Sequence, residues 1–114
     1  AVAVILGAFG AHAIKAKLAP EALESFQTAV RYQFFHVLLL LFVNMFTEFT
    51  NKEKNRISYF LIAGILLFSG SIYLIYLVNV PAKAIWFVTP LGGTLLIVGW
   101  SLLTYSFLKK VVKN

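Results

Sequence analysis

The sequence predicts an all-α integral membrane protein, an antiparallel bundle of about four transmembrane helices. Of its 114 residues, 61% are hydrophobic and only 12% are charged, whereas an average soluble domain has about 45–50% apolar and about 25% charged residues. A chain this short cannot enclose so much apolar surface in a water-soluble core, because small domains have too much surface for their volume. The apolar residues also form long runs separated by short polar segments, which is typical of helices that cross a bilayer.

Four apolar stretches define the expected spans of a single domain, residues 1–114. They cover about residues 1–14, 30–49, 57–80 and 84–108. The last three are long enough for a hydrocarbon core, which needs about 20 helical residues. The first gives only about 21 Å of helix at 1.5 Å per residue. We therefore interpret it as a partial span, a helix truncated at its N-terminal end.

The segment before the second span predicts a short interfacial helix. Pro20 suits the first turn of a helix, and Glu21 and Glu24 favour its positive N-terminal end. The apolar residues that follow have helical spacing, so the segment is expected to lie in the membrane interface before the chain enters the bilayer.

The net charge of +6 lies mainly in the polar segments. We name face A the membrane side of the 15–31 linker and face B the side of the 51–56 loop and the C-terminus. Face A carries four cations, and face B carries six: Lys52, Lys54, Arg56, Lys109, Lys110 and Lys113. The positive-inside rule then makes face B, with the C-terminus, cytoplasmic. Cations in this arrangement contact lipid headgroups, so the bilayer is the expected partner and nucleic acid is not.

Several polar side chains are expected within the spans, where each one is costly and needs an explanation. They are His12, Gln33, His36, Ser69, Ser71 and Thr89. In one interpretation they form hydrogen bonds between helices. In the other, the half-membrane near His12 and His36 holds a small ligand, a lipid or a proton, because histidine changes charge near neutral pH. Both interpretations remain open at this stage. Arg31 is placed at a helix start, from which it can extend to the interface.

Small residues predict close helix packing. Gly64 and Ser71 are seven residues apart, as are Gly92 and Gly99, and Gly93 follows Gly92. A stripe of small residues lets two helix backbones approach closely in lipid, where no hydrophobic force drives helices together. These glycines are therefore assigned to helix–helix contacts.

No catalytic or cofactor-binding constellation is recognised. The sequence has no Ser/His/Asp order, phosphate-binding glycine loop or HExxH spacing. There is no cysteine, which excludes disulfides and thiolate chemistry. Two histidines on separate helices, without a neighbouring carboxylate, make an incomplete set of metal ligands. We therefore predict neither an enzyme, nor a metal site, nor a cofactor.

A set of short motifs resembles a known family. They are GAFGAH at 7–12, YQFFH at 32–36, FSGS at 68–71, TPLGG at 89–93 and GW at 99–100. In this order they resemble the domain-of-unknown-function 423 family of small bacterial membrane proteins, related to the transmembrane protein 256 group. The resemblance implies about four spans and a multi-pass protein of the bacterial cytoplasmic membrane. It implies no catalytic residue.

Two functional hypotheses follow from these observations. The first is a non-enzymatic accessory or organising subunit that packs against itself or a larger membrane complex. The second is a binder or conductor of a small ligand, lipid or proton through the polar site near His12 and His36. The lack of a recognisable catalytic motif and the stripes of small residues favour the first hypothesis. The histidines within the spans favour the second.

Overall fold

The computed structural model describes all 114 residues, and its regular structure is entirely helical. Its four α-helices are α1 (Val2–Phe9), α2 (Pro20–Met45), α3 (Asn51–Leu77) and α4 (Val88–Lys113). A π-helical turn, Gly10–Ile14, extends α1, and a 3₁₀ turn, Ala82–Ala84, precedes α4. The all-α prediction is confirmed.

Three of these helices are long and apolar enough to cross a membrane. They are α2, α3 and α4, with 26, 27 and 26 residues, or about 40 Å each at 1.5 Å per residue. The apolar helix Val2–Ile14 is shorter than a span. Only 19 residues are buried, and large apolar side chains such as Leu38, Leu66 and Ile97 point outward. Such a surface is typical of a protein that lies in a membrane.

The helix boundaries differ from the predicted ones, most of all in α2. In place of a separate interfacial helix before residue 30, one continuous helix begins at Pro20 and ends at Met45. A separate interfacial helix is therefore not confirmed, because the helical spacing continues past Pro20 without a break. Arg31 consequently lies eleven residues into α2, about 16 Å from its start, and not at a helix start. The predicted ranges 57–80 and 84–108 become 51–77 and 88–113.

A capping box starts α3. The Thr50 hydroxyl accepts a hydrogen bond from the backbone N–H of Glu53, and the Glu53 carboxylate accepts one from the backbone N–H of Thr50. This satisfies two backbone donors that the first turn of a helix otherwise leaves without partners. Lys54 and Lys110 add to the turn by donating to the carbonyl oxygens of Asn44 and Glu48. The α2–α3 turn is therefore tied to the C-terminal end of α4.

We expect Thr50→Ala to lower the free energy of unfolding by about 1 kcal/mol, the usual cost of losing an N-cap. Chemical unfolding in detergent micelles measures the change. Thr47→Ala is the matched control, because the side chain of Thr47 makes no hydrogen bond in the turn. An equal loss in both variants would show that the capping box contributes nothing particular.

The centre of the fold is α3, which packs against α2 on one side and α4 on the other. At the face B end, α2 and α4 also meet through an aromatic cluster of Phe42, Phe46, Phe49 and Phe107. Beyond this cluster, toward face A, α2 and α4 have no extensive contact. The bundle is therefore open on one side, and a groove runs between α2 and α4 over the surface of α3.

Candidate functional site

The largest cavity of the protein is this open groove, of about 1060 Å³. On α2 its wall runs from Arg31 to Phe42, on α4 it runs from Pro90 to Trp100, and Phe68 of α3 lies between them. Most of the lining is apolar, and it contains no acidic side chain. We name this cavity the α2–α4 groove.

His36 and Trp100 join the two walls of the groove. The indole Nε1–H of Trp100 donates to His36 Nε2 at 3.1 Å, and His36 Nδ1 lies 2.6 Å from the carbonyl oxygen of Tyr32. Because a carbonyl can only accept and an indole can only donate, Nδ1 carries the proton and Nε2 does not. His36 is only 4% exposed, and both of its ring nitrogens are engaged in hydrogen bonds.

Arg31 stands at the face A end of the groove. Its position well inside α2 places a guanidinium beside apolar side chains of the span, and an ionisable group there is a candidate for function. No carboxylate lines the groove with it. The groove therefore combines an apolar channel with one unbalanced positive charge.

Four of the predicted polar residues make hydrogen bonds between helices. Ser69 Oγ donates to the carbonyl oxygen of Ala29 at 2.7 Å, which joins α3 to α2. Gln33 Oε1 accepts from the Tyr73 hydroxyl, also at 2.7 Å. The hydroxyls of Ser71 and Thr89 are 2.6 Å apart and join α3 to α4. These polar groups are engaged within the bundle and do not line the α2–α4 groove.

The structure does not bring His12 to His36. His12 is exposed on the π-helical turn that follows α1. Since Gly7 lies against Val30 and Gly10 against Phe26, α1 runs antiparallel to α2, and residues after Gly10 move away from His36. His36 is ten residues beyond Phe26, about 15 Å along the helix. The two histidines consequently do not share a site.

Three of the four predicted packing glycines lie at the α3–α4 contact. A Cβ atom on Gly64 would meet Leu96, one on Gly99 would meet Leu61, and one on Gly92 would meet the backbone of Leu67 and Phe68. Gly93 differs, because a Cβ there would approach only the ring of Phe68, at 3.7 Å. Gly93 instead lines the α2–α4 groove.

Sequence reasoning missed the residues that complete the groove. Trp100 and Tyr32, the partners of His36, are 64 residues and 4 residues away from it in the chain. The four-residue spacing of Tyr32 and His36 indicates neighbouring side chains on one helix face. No comparable signal connects His36 to Trp100. No group of three histidine, cysteine or acidic side chains that could hold a metal ion is present.

The fold and the groove define the class of this protein: a small helical membrane protein with an open groove between two of its helices. Residues 6–93 match the family model described as "Protein of unknown function (DUF423)". The chain is 36% identical to a UPF0382 membrane protein of Staphylococcus aureus (strain bovine RF122 / ET3-1), over 95% of this chain and 87% of that protein. It therefore belongs to this uncharacterised family of membrane proteins.

Relatives in other bacteria extend the comparison. A UPF0382 membrane protein of Haemophilus influenzae is 39% identical over 93% of this chain and 84% of its own length. The UPF0382 membrane protein YwdK of Bacillus subtilis is 32% identical over 95% of this chain and 88% of its own length. None of these names describes an enzyme. No solved structure matches the chain.

Proposed function

We propose that this protein is a non-enzymatic membrane protein that binds an anionic amphiphile in the α2–α4 groove. The observation that carries the proposal is Arg31, a cation at the end of an apolar groove without a carboxylate among its lining residues. Such a charge is costly next to hydrocarbon, and the carboxylate or phosphate of a bound molecule would offset that cost.

The rest of the groove suits a hydrocarbon tail. From Arg31 the lining continues along α2 through Leu38 and Leu39 to Phe42, opposite Ile97 of α4. Phe42 belongs to the aromatic cluster at the face B end, where α2 and α4 meet. A tail that enters beside Arg31 would thus extend toward the bilayer centre along apolar side chains, in a volume typical of small-molecule sites.

Proton conduction has less support than ligand binding. A histidine that relays protons needs a ring nitrogen free to take up or release one. Both nitrogens of His36 are engaged, by Trp100 and by the Tyr32 carbonyl. The pair is better suited to holding α4 at a set distance from α2, which sets the width of the groove.

The proposed orientation places the groove entrance beside Arg31 away from the cytoplasm. The positive-inside rule assigns face B, with its six cations, to the cytoplasmic side of a bacterial inner membrane. Lys110 supports the grouping of these charges, because it reaches the Glu48 carbonyl of the α2–α3 turn. The amphiphile would then enter from the outer half of the bilayer.

The binding proposal can be tested by fluorescence quenching of Trp100, which lines the groove. The full chain with Trp86→Phe has Trp100 as its single tryptophan. We expect brominated stearate to quench Trp100 more strongly than the uncharged brominated stearyl alcohol. Arg31→Gln should weaken stearate binding about tenfold, the value of one hydrogen bond to a charged group. Lys83→Gln, a cation of face A outside the groove lining, is the control and should leave binding unchanged.

Equal quenching by both probes, unaffected by Arg31→Gln, would contradict the proposal, since ordinary bulk lipid behaves in that way. A larger protein that leaves the membrane with this chain in fixed stoichiometry, detected by native mass spectrometry, would favour the accessory-subunit hypothesis.

A further inference from the structure

A second cavity lies at the opposite end of the molecule, where the first turn of α3 meets the last turns of α4. It has a volume of about 280 Å³, and its lining includes Lys52, Arg56, Lys109 and Ser106. We infer that this face B pocket binds a phosphate group, either in the headgroup of an anionic lipid or as a free phosphate ion.

The charge of the pocket is the first argument. Three cations, Lys52, Arg56 and Lys109, line it together with one carboxylate, Glu53. That carboxylate is already engaged, because it accepts hydrogen bonds from the backbone and the hydroxyl of Thr50. Three cations against one carboxylate leave the pocket with a net positive charge, and Glu53 offsets part of the charge of Lys109. Basic pockets between transmembrane helices suit phosphate-bearing headgroups for the same reason.

These three cations differ from the neighbouring lysines. Lys54 and Lys110 donate to the carbonyl oxygens of Asn44 and Glu48 and thus hold the α2–α3 turn. Lys52, Arg56 and Lys109 make no such bond within the chain, and all three are exposed. Lys54 and Lys110 therefore stabilise the α2–α3 turn, whereas the other three cations line the pocket.

Ser106 is the second, independent observation. The other serine and threonine hydroxyls in the body of α4, those of Thr94, Ser101 and Thr104, each donate to the carbonyl oxygen four residues earlier. Ser106 makes no such bond although it is only 5% exposed and lines the pocket. No fully enclosed side-chain polar atom of the protein lacks a partner, so this hydroxyl opens onto the cavity. It is a buried hydroxyl that lines the same pocket as the three cations.

Anion binding to the full chain in a neutral detergent tests the inference. In the first experiment, native mass spectrometry compares the binding of phosphatidylglycerol with that of phosphatidylcholine. In the second, the thermal unfolding midpoint is compared in inorganic phosphate and in chloride at equal ionic strength. We expect Arg56→Gln to weaken binding about fivefold, the contribution of one cation near an anionic headgroup. Ser106→Ala should weaken it about tenfold, the value of a hydrogen bond to a charged group.

Lys113→Gln is the matched control, because it removes the same charge from the same end of the chain but lies outside the pocket. Selective binding of phosphatidylglycerol that depends on Arg56 and Ser106 would identify a lipid headgroup, and the same dependence with inorganic phosphate would identify the free ion. Arg56 is exposed, so Arg56→Gln keeps the test valid even if Ser106→Ala were to unfold the chain. An effect of Lys113→Gln as large as that of Arg56→Gln, with none from Ser106→Ala, would overturn the inference in favour of diffuse charge attraction.

Discussion

Replacing Gly92 by alanine is expected to lower the free energy of unfolding by about 3 kcal/mol, at the upper end of the usual cost of overpacking. The added methyl group would lie only 2.7 Å from the carbonyl carbon of Leu67 and 2.8 Å from the Cα of Phe68. Because these are backbone atoms, no side-chain rotation can make room for it. The helices α3 and α4 would have to separate, which weakens the tightest contact of the fold. Unfolding in mixed micelles measures the loss.

Gly93→Ala is the matched control, since it adds the same methyl group one position further along α4. That methyl would approach only the Phe68 ring, at the ordinary contact distance of 3.7 Å. We expect no loss of stability and a gain of about 0.5 kcal/mol, because alanine has the higher helix propensity and the ring does not have to move. If the two alanine variants lost equal stability, helix propensity or micelle effects would explain the result, and the close approach of α3 and α4 would not.

His36→Ala is expected to lower the free energy of unfolding by about 2–3 kcal/mol. The change removes a buried ring, leaves a cavity, and deprives the Trp100 indole N–H of its acceptor in an apolar setting. It also removes the hydrogen-bonded link between α2 and α4. The loss should appear both in unfolding experiments and as a shift in the fluorescence of Trp100.

Two variants separate the possible causes of this loss. His12→Ala removes the same ring from an exposed position and should change stability by less than about 0.5 kcal/mol. Trp100→Phe keeps an aromatic ring but removes the donor, and it should cost about 1 kcal/mol. If His12→Ala proved as damaging as His36→Ala, the assignment of His36 as the structural link across the groove would be wrong.

The pattern of apolar residues along the chain was sufficient to predict part of the fold. A long apolar run in lipid forms a helix, because the backbone groups must then bond to one another, and the predicted spans 57–80 and 84–108 overlap most of α3 and α4. Helix α2 begins ten residues before the predicted second span, whose start was set after the polar residues of 20–29 that were assigned to the interface. In the structure the helical spacing continues through them from Pro20. The start of α2 is therefore set by Pro20, which suits the first turn of a helix, and not by the point at which the sequence becomes apolar.

The candidate site was only partly predictable. His36 was recognisable as a costly polar group inside a span, and so were Ser69, Ser71 and Thr89. Their partners were not, because a hydrogen bond such as that from Ser69 to the Ala29 carbonyl depends on how two helices are rotated and aligned. The pairing of His12 with His36 was a hypothesis from estimated depth, and the antiparallel register of α1 on α2 removes it.

The sequence by itself determined that the chain belongs in a membrane, that it is helical, and to which family it belongs. These properties follow from composition and from short-range spacing, which the order of residues contains directly. Only the tertiary structure decided that α2 and α4 diverge over α3, that Trp100 reaches His36, and that Ser106 opens among three cations. The physical reason is that lipid solvates every apolar helix face about equally well. Close packing between helices, such as that of Gly92 against the α3 backbone, therefore decides which helix faces meet. Hydrophobicity along the chain does not decide it.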